Sequence, residues 1–280
     1  MDIQSLSTTF DQAFTAQIQQ ALEGYFHDSQ QGLPSSFELI KSTKRRKVLS
    51  WKTADFHFFI KSYRYQPWSF WLHAMWQNKA KKSLSLSKAM NGSQIPTPKP
   101  IAYAQMHADS GHYHTLYFNQ AVEGKPIEAF LDQKARKAEN RWLIYEKLGK
   151  LWAKMMQKGF LHKDPNLSNV IINPLNKLVL IDFDNIYQYP FIPKNVQYKA
   201  LANFFAHAYV SKLNNNENHI HYRDNFVFLH AFYEAQDFAV SFKNLAQNVH
   251  ALAIERLESW NIEHRLNPSI DFYLQKVAIN

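Results

Sequence analysis

The sequence predicts an α+β protein of two lobes, with a strand-rich N-terminal lobe followed by a mostly helical C-terminal lobe. Residues 37–119 contain short β-branched and aromatic runs separated by turn residues, a pattern typical of strands. Through residues 141–260, in contrast, apolar residues recur at helical spacing. The change from the strand pattern to the helical pattern falls at Glu123-Gly124-Lys125-Pro126, whose glycine and proline are typical of a connecting loop.

Chain length and composition limit the classes of protein to consider. The 280 residues suffice for one two-lobed domain, and 46% hydrophobic residues with 15% aromatics exclude a globally disordered chain. The sequence has no long apolar run, and its N-terminus lacks a basic region followed by an apolar one. We therefore expect neither a membrane span nor a secretory signal. The absence of cysteine excludes disulfides and a thiolate nucleophile, and it fits a reducing cytoplasm.

The N-terminal part of the chain divides into a helix and a lobe of strands. Over residues 9–26 the apolar side chains share one stripe, opposite a Gln-rich face. This pattern predicts an amphipathic helix, within residues 1–36, that packs on the body of the protein. Residues 37–119 then form the N-terminal lobe. Its predicted elements are strands within Phe37–Tyr65, a helix over Trp68–Met90 that Asn91-Gly92 ends, and strands Ile101–Met106 and His114–Asn119.

The C-terminal lobe, residues 120–280, is predicted to consist of helices around a group of short strands. A strong helical pattern over Arg141–Lys158 carries one apolar face and stops before Gly159. Further amphipathic patterns predict helices over residues 196–213, 222–238 and 240–260. Between the first helix and these, short apolar strands are predicted at Leu161, Val170–Ile172 and Val179–Ile181.

Positive charge is concentrated in one part of the chain. Residues 39–100, the basic segment, contain thirteen Lys or Arg and a single acid, Asp55. The segment therefore has a formal charge of +12, against −3 for the rest of the chain. A single-sign cluster of this density favours a polyanionic partner: a nucleotide, a nucleic acid, phospholipid headgroups or a phosphorylated glycolipid. The alternative is a solvated basic face that only aids solubility.

The residues whose types and spacing indicate a chemical reaction most clearly lie between positions 162 and 184. They are His162-Lys163-Asp164, Asn169 and Asp182-Phe183-Asp184, in an order and spacing typical of a kinase active site. Phosphoryl transfer needs a carboxylate near the acceptor hydroxyl and oxygen ligands for Mg²⁺. Asp164 is the candidate for the first role, and Asn169 and Asp182 are candidates for the second. His162 is a further catalytic candidate, although such a histidine more often braces the loop.

Each of these residues alone would also fit a structural role, as a turn residue, a loop amide or a helix cap. Their combination is more specific. Asn169 and Asp182 flank an apolar hairpin, Val170–Ile172 and Val179–Ile181, whose arms are joined by Asn173-Pro174-Leu175-Asn176. Asn169 and Asp182 lie 13 residues apart with this hairpin between them, and the whole pattern predicts a protein-kinase-like fold.

Five segments of the chain look like motifs that occur together in one family. They are Phe58-Phe59-Ile60-Lys61-Ser62-Tyr63, Ile95-Pro96-Thr97-Pro98-Lys99-Pro100, Gln120-Ala121-Val122-Glu123-Gly124, Gly159-Phe160-Leu161-His162-Lys163-Asp164 and Leu180-Ile181-Asp182-Phe183-Asp184. Through them, over roughly residues 38–190, the chain resembles the lipopolysaccharide kinase (Kdo/WaaP) family, bacterial kinases of the protein-kinase superfamily that phosphorylate inner-core sugars. The resemblance implies that Lys61 binds the phosphates of ATP, that Mg²⁺ is the metal, and that a lipid-linked core oligosaccharide is the acceptor.

Two departures from the usual kinase pattern concern the nucleotide site. No glycine occurs from Phe37 through Lys61, so phosphate contacts there must come from the side chains of Lys44–Lys47 or from other backbone amides. No glutamate lies between positions 38 and 123, so the predicted helix cannot supply the usual partner of Lys61. The candidates that remain for that positioning role are Gln77, Asn78 and Asp182.

Two further departures lie in the segments that the resemblance identifies as the catalytic loop, around Asp164, and the metal loop, Asp182-Phe183-Asp184. Asp184 stands where kinases usually have glycine, which makes it a candidate second contact for the metal or a water, with a capping role as the alternative. Pro165 follows Asp164, where it favours an extended conformation for Asp164 and removes one amide donor.

The leading interpretation is therefore an ATP- and Mg²⁺-dependent enzyme that phosphorylates an alcohol group, on Kdo or heptose, of the lipopolysaccharide inner core. On this interpretation the basic segment binds the anionic inner leaflet, so we expect a cytoplasmic protein or one peripheral on the inner face of the cytoplasmic membrane. The alternatives are a kinase of another small molecule or of a protein, and a nucleotide-binding pseudokinase scaffold. Nucleic acid is not an expected partner, since no recognition motif accompanies the charge.

Overall fold

The computed structural model describes residues 2–5, 16, 20, 22, 36–66, 78–107, 112–134, 138–214, 222–238 and 240–278. The chain divides into two compact units, Met1–Val122 and Glu123–Asn280, which we call unit 1 and unit 2. Unit 1 is built mainly on a sheet, and the described part of unit 2 is mostly helical. The predicted α+β class, with strands first and helices second, is confirmed.

An antiparallel sheet forms the body of unit 1, with its strands in the order β1-β5-β6-β4-β3-β2. The strands are β1 (Asp2–Ser5), β2 (Phe37–Ser42), β3 (Arg46–Lys52), β4 (His57–Tyr65), β5 (Pro100–His107) and β6 (Tyr113–Gln120). Strands that are consecutive in sequence therefore pair within β2–β3–β4 and within β5–β6, whereas a helix separates β4 from β5, and β1 and β2 lie at opposite edges of the sheet.

The N-terminal region is described only in part. Residues 16, 20 and 22 are helical, and the rest of the predicted 9–26 helix lies outside the described residues. Leu22 is fully buried in the apolar core of unit 1, together with Leu49, Ile60 and Phe118. Strand β1, which pairs with β5, was not predicted, because its sequence Asp-Ile-Gln-Ser has no run of β-branched or aromatic residues.

The two faces of the unit 1 sheet differ in character. Alternation along β4 places Phe58 and Ile60 in the apolar core, and therefore directs Lys61 and Tyr63 to the opposite face. Helix α1 (Lys79–Gly92) packs against β5 and β6 on that second face, where Lys79 Nζ lies 6.0 Å from the centre of the Tyr63 ring. We call the side with Lys61 the helix face and the other side the core face.

Helix α1 begins later than the sequence pattern predicted. Asn78 is extended (φ −64°, ψ 102°), and its side chain accepts a hydrogen bond from the Lys81 amide at 3.0 Å. Asparagine competes with helix continuation by capping in this way, so the predicted helix Trp68–Met90 does not run unbroken. Its first part, residues 68–77, lies outside the described residues.

Unit 2 combines helices with short strands. The helices are α2 (Ile127–Lys134), α3 (Ala138–Gln157), α4 (Lys194–Asn214), α5 (Tyr222–Glu234), α6 (Phe242–Ser259) and α7 (Ile270–Ala278). The strands are β7 (Lys125–Pro126), β8 (Phe160–His162), β9 (Val170–Ile172), β10 (Leu178–Leu180) and β11 (Ile186–Gln188), arranged as β10-β9-β7 and β11-β8. Among the helices of the described part, none has both the length and the apolarity that a membrane crossing requires.

Close packing of α3 on α5 depends on Gly149. A Cβ at this position would lie 2.2 Å from the Phe228 carbonyl oxygen and 3.0 Å from the Ala231 Cβ. The Gly149→Ala variant is therefore expected to lose about 1–3 kcal/mol of stability from overpacking, seen as a lower denaturant midpoint. Gly92→Ala is the matched control, because a Cβ there meets nothing within 4 Å. An equally stable Gly149→Ala protein would contradict this packing.

We expect the imidazole of His250 on α6 to make unit 2 less stable in acid. Neither ring nitrogen has a hydrogen-bond partner among the described residues, and the ring lies 4.9 Å from that of Tyr273. Burial, with a smaller contribution from the charge of His264, lowers the pKa of His250 from 6.5 to about 4. The unfolded chain therefore takes up a proton below pH 6.5 that the folded chain does not, so stability falls as the pH drops toward 4.

We expect this acid sensitivity to weaken when His250 no longer titrates. Urea midpoints measured between pH 7.5 and 4.5 should fall more steeply for the wild type than for His250→Leu, which keeps an apolar group of similar size in place. Parallel curves for the two proteins would show that His250 does not contribute.

Candidate active site

The catalytic loop follows strand β8, and His162 at the end of that strand holds the backbone of the loop in place. This histidine is 3% exposed, and its ring stacks on Trp152 with centres 6.5 Å apart. Its Nδ1 accepts a hydrogen bond from the Asp164 amide at 3.3 Å. An imidazole held in this way fixes the backbone of the loop, so the geometry gives His162 a positioning role. Asp164, in contrast, is open to solvent.

Two side chains outside the predicted set hold the Asp164 carboxylate. The Asn185 side-chain amide donates to Asp164 Oδ2 at 3.2 Å, and His207 Nε2 lies 3.1 Å from Oδ1. Asp164 nevertheless remains 54% exposed. Both oxygens are thus oriented while the group stays accessible, which suits a carboxylate that must meet an external hydroxyl.

His207 reaches Asp164 from helix α4. Its ring lies 4.8 Å from that of Trp260. The pKa of His207 lies below the usual 6.5, mainly because burial disfavours the charged ring; the Asp164 carboxylate opposes this shift and Arg256 adds to it. Near neutral pH the ring is therefore uncharged, and a tautomer with the proton on Nε2 donates to Asp164.

Asn169 and Asp182 are brought together by the β9–β10 hairpin. A short 3₁₀ turn, Leu167–Asn169, precedes β9 and is capped by the Asn166 side chain, which accepts from the Ser168 amide at 3.0 Å. The Ile181 amide then donates to the Asn169 carbonyl at 2.8 Å, which extends the ladder beyond Leu180↔Val170. The two predicted metal-binding residues therefore flank one end of a rigid hairpin.

Asp182 has an uncommon backbone conformation, with φ +77°. Its Oδ1 accepts a hydrogen bond from the Asp184 amide at 3.3 Å. A non-glycine residue in the left-handed region stores strain of about 1–2 kcal/mol, and such residues concentrate at functional sites.

The oxygen groups around this turn suit Mg²⁺. Magnesium is usually held by one or two carboxylates, and substrate phosphates and waters complete its six ligands. Asp182, Asn169 and Asp184 offer two carboxylates and an amide within one local structure. The described residues contain no group of three His, Cys, Asp or Glu that would form an all-protein metal cage, and a magnesium site shared with nucleotide phosphates needs none.

Hydrogen bonds link the catalytic loop to the metal loop. Strands β8 and β11 pair through His162↔Ile186, and the Lys163 amide donates to the Asn185 carbonyl at 2.9 Å. Since Asn185 also binds the Asp164 side chain, it connects the residue that would meet the acceptor to the segment that would hold the metal. The predicted residues of unit 2 thus form one connected site.

Lys61, the predicted phosphate-binding lysine, belongs to unit 1 and lies half-buried on the helix face of β4, between Val48 and Tyr117. Basic residues crowd the same face, because α1 begins with Lys79, Lys81 and Lys82 and has no acidic residue in its first turn. A helix N-terminus repels cations, so an anion bound near this end would relieve the repulsion.

The stretch Lys44–Lys47, predicted to replace a glycine-rich loop, divides between the two faces of the sheet. Arg46 pairs with Tyr63, whereas Lys47 pairs with Ser62. Arg46 thus shares the helix face with Lys61, and Lys47 points to the core face. Of these two strand residues, only Arg46 is placed to assist Lys61.

Sequence reasoning did not find His207 or Asn185. Asn185 directly follows the Asp182-Phe183-Asp184 motif, so its position offered a weak signal. His207 lies 43 positions beyond Asp164 in helix α4, where a lone histidine has no local signature. Only the packing of α4 brings it to the catalytic loop.

Comparison with known proteins gives two findings. Residues 114–217 match the family described as the ABC1 atypical kinase-like domain, a range that includes both the catalytic loop and the metal loop. The chain is kinase-like in this region. It is also similar to the 3-deoxy-D-manno-octulosonic acid kinases of Vibrio vulnificus strains YJ016 and CMCP6, with 25% identity over 118 residues in each case.

The extent of these similarities is partial. The alignment to the Vibrio kinases covers 42% of this chain and 48% of each relative, so the chain spans about half the length of the curated relatives it matches. Together the two findings confirm the predicted resemblance to lipopolysaccharide kinases and the protein-kinase-like fold class.

Proposed function

We propose that this protein is an ATP- and Mg²⁺-dependent kinase that phosphorylates a sugar hydroxyl, of Kdo or heptose, in the lipopolysaccharide inner core. The observation that carries the proposal is the connected arrangement of Asp164 with the Asn169–Asp182 hairpin through Asn185. The similarity to Kdo kinases supports the choice of acceptor.

The predicted site residues would divide the chemistry between them. Asp164 would orient the acceptor hydroxyl and accept its proton as the acceptor oxygen bonds to the γ-phosphorus and the bond from that phosphorus to the bridging oxygen breaks, which releases ADP. Asn169 and Asp182 would hold Mg²⁺, with Asp184 as an additional oxygen. Bound Mg²⁺ supplies charge neutralisation on the transferred phosphoryl group. Lys61 would bind the α- and β-phosphates of the nucleotide.

A pseudokinase scaffold is the second candidate function, and one observation favours it. Helix α1 contains no glutamate and the β2–β3 hairpin contains no glycine, so this chain lacks two sequence features of the usual nucleotide site. A scaffold would still bind its partner after Asp164 is replaced. An enzyme that phosphorylates another small molecule or a protein is the third candidate, and it would share every residue of the site but not the acceptor.

Phosphate incorporation into a defined acceptor distinguishes these functions. Radiolabelled ATP, Mg²⁺ and a Kdo- or heptose-containing core glycolipid should give a labelled product, whose modified position is read by mass spectrometry or NMR. Labelling should require Mg²⁺ and vanish in Asp164→Ala and Asp182→Ala. Equal turnover by the wild type and both variants would refute the enzyme proposal, and turnover restricted to other acceptors would refute the sugar assignment.

We further propose that the basic segment attaches the protein to the anionic inner face of the cytoplasmic membrane, close to its lipid-linked acceptor. Lys79 and Lys81 at the start of α1 are exposed and Lys82 is half-buried. Each cation near an anionic surface contributes about 1 kcal/mol of attraction.

The membrane proposal predicts salt-sensitive sedimentation with phosphatidylglycerol vesicles. Replacing Lys79, Lys81 and Lys82 by Gln should weaken binding at least about tenfold, in line with the loss of three such contributions. Replacing the exposed Lys158, Lys177 and Lys194 of unit 2 removes the same charge elsewhere and should have little effect. Equal binding by the two triple variants would contradict a specific role for α1.

A further inference from the structure

A basic cavity opens at the end of the unit 1 sheet, beside the β2–β3 hairpin. It measures about 450 Å³, within the range of small-molecule sites. None of its lining residues is acidic. They are Ser42, Thr43, Lys44, Arg45, Arg46, Lys47, Ser62, Arg64 and His114.

Strand register places this cavity on the core face, away from Lys61. Ser62 and Arg64 are next to Lys61 and Tyr63 in β4, so their side chains point to the opposite side. Lys47 pairs with Ser62, and His114 pairs with Arg64. Of the strand residues that line the cavity, only Arg46 belongs to the helix face, where the proposed nucleotide site lies; the others line it from the core face.

The floor of the cavity is polar and buried. Ser62 is 1% exposed and His114 is 7% exposed, and the Ser62 hydroxyl lies 3.1 Å from His114 Nδ1. Burial, together with the charges of Arg64, Lys47 and His112, lowers the pKa of His114 to about 4, so the imidazole is neutral at pH 7. A floor of neutral hydrogen-bonding groups can contact an anion without adding to the crowding of cations.

The positively charged side chains of the cavity lie at its rim. Lys44, Arg45 and Arg64 are exposed and Lys47 is half-buried, and the guanidinium of Arg64 is held by His112 Nε2 at 2.9 Å. Hydrogen bonding of Arg64 to a neighbour gives its planar fork a defined direction. Cations that line one cavity repel one another, and a bound group with two negative charges would offset the repulsion while accepting several charge-assisted hydrogen bonds.

We propose that this cavity is a second anion site, which binds a phosphomonoester or diphosphate group independently of the nucleotide. Lys47 and Arg64 are its central cations, Lys44 and Arg45 close its rim, and Ser62 provides a hydroxyl at its floor. The site needs no catalytic residue of unit 2, so it would be present whether the protein is an enzyme or a scaffold.

Calorimetric titration with inorganic pyrophosphate, without Mg²⁺, tests the site directly. Lys47→Gln/Arg64→Gln should raise the Kd at least about tenfold, since it removes two charge-assisted contacts. Lys52→Gln is the matched control, because Lys52 lies in the same strand as Lys47 but on the helix face and is exposed. Lys61→Met reports separately on the proposed nucleotide site, and circular dichroism checks that each variant is folded.

The pattern across these variants decides the question. Loss of binding in Lys47→Gln/Arg64→Gln, with binding kept in Lys61→Met and Lys52→Gln, supports the second site. Loss only in Lys61→Met, or no pyrophosphate binding by the wild type, overturns it. A failure of the kinase proposal leaves this result unchanged, because no phosphate transfer is measured.

Vesicles identify the source of the phosphate group. Phosphatidylcholine vesicles containing phosphatidate present a phosphomonoester on a membrane, whereas those containing phosphatidylglycerol present a phosphodiester. Cavity-dependent binding to phosphatidate vesicles, tighter than to pyrophosphate, assigns the site to a phosphorylated lipid. Binding to pyrophosphate alone assigns it to a soluble phosphate. Equal binding of both vesicle types by the wild type and Lys47→Gln/Arg64→Gln excludes the cavity as a lipid site.

Discussion

Asp182→Gly is expected to slow phosphate transfer severely while leaving the protein more stable than Asp182→Ala. Both substitutions remove the carboxylate that would hold Mg²⁺, so both should lower kcat by about 10³-fold, because the metal contributes several kcal/mol of transition-state stabilisation. They differ in the backbone. Residue 182 has φ +77°, a conformation that glycine adopts freely and alanine does not.

The difference in stability isolates the backbone strain at position 182. Alanine retains the cost of the left-handed conformation, about 1 kcal/mol or more, whereas glycine removes it. Each variant also loses the hydrogen bond from the Asp184 amide, so that loss cancels in the comparison. Chemical denaturation should therefore give Asp182→Gly the higher free energy of unfolding, by about 1 kcal/mol.

Asp182→Asn is the control for side-chain shape. Asparagine tolerates positive φ and keeps an oxygen that can accept from the Asp184 amide, so we expect near-native stability with a weaker dependence on Mg²⁺. Full activity in Asp182→Gly would show that the carboxylate is not a metal ligand. Equal unfolding free energies for the glycine and alanine variants would show that the turn relaxes without strain.

Much of the fold could be predicted because the pattern of each element is local. Helices α3, α4 and α6 were located to within a few residues from apolar spacing, and the β9–β10 hairpin from its two apolar runs. The failures have tertiary causes. Strand β1 is polar and is stabilised by pairing with β5, and α7, Ile270–Ala278, is a short helix that was not predicted.

The candidate site likewise has residues that a local pattern predicts and residues that only tertiary packing brings in. Asp164, Asn169 and Asp182 lie within one stretch of 19 residues, whose order alone placed them together. Lys61 was located from its strand, and its role remains a prediction. The contact of His207 with the Asp164 carboxylate could not be predicted, since His207 is distant in sequence and its position depends on how α4 packs. A motif can identify the groups that react, but the side chains that orient them come from anywhere in the chain.

Replacement of Asp164 is expected to affect turnover more than nucleotide binding. A carboxylate that accepts the acceptor's proton contributes about 10²–10⁴-fold to the rate. Asp164→Asn should therefore lose that factor in kcat while the KM for ATP changes by less than about twofold, because Asp164 is not among the groups that bind phosphate. An unchanged kcat would show that the acceptor is deprotonated elsewhere.

The contact between His207 and Asp164 gives this step a pH dependence. Above its lowered pKa, His207 is neutral and can donate a hydrogen bond. As the pH falls, the ring takes up a proton and places a positive charge 3.1 Å from the carboxylate. This charge stabilises the ionised carboxylate and opposes proton uptake from the acceptor. We therefore expect kcat to decline on the acid side, at pH values below 6.5.

His207→Gln separates orientation from charge. Glutamine can still donate a hydrogen bond to Asp164 but cannot ionise, so kcat should remain within about tenfold of the wild type near pH 7.5 and decline less on acidification. His207→Phe removes the donor and should lose about tenfold or more at every pH, since the carboxylate is no longer fixed. Identical kcat–pH profiles for the wild type and His207→Gln would show that His207 only packs against Trp260. A flatter profile for His207→Gln would show that the protonation state of His207 controls how readily Asp164 accepts the proton of the acceptor.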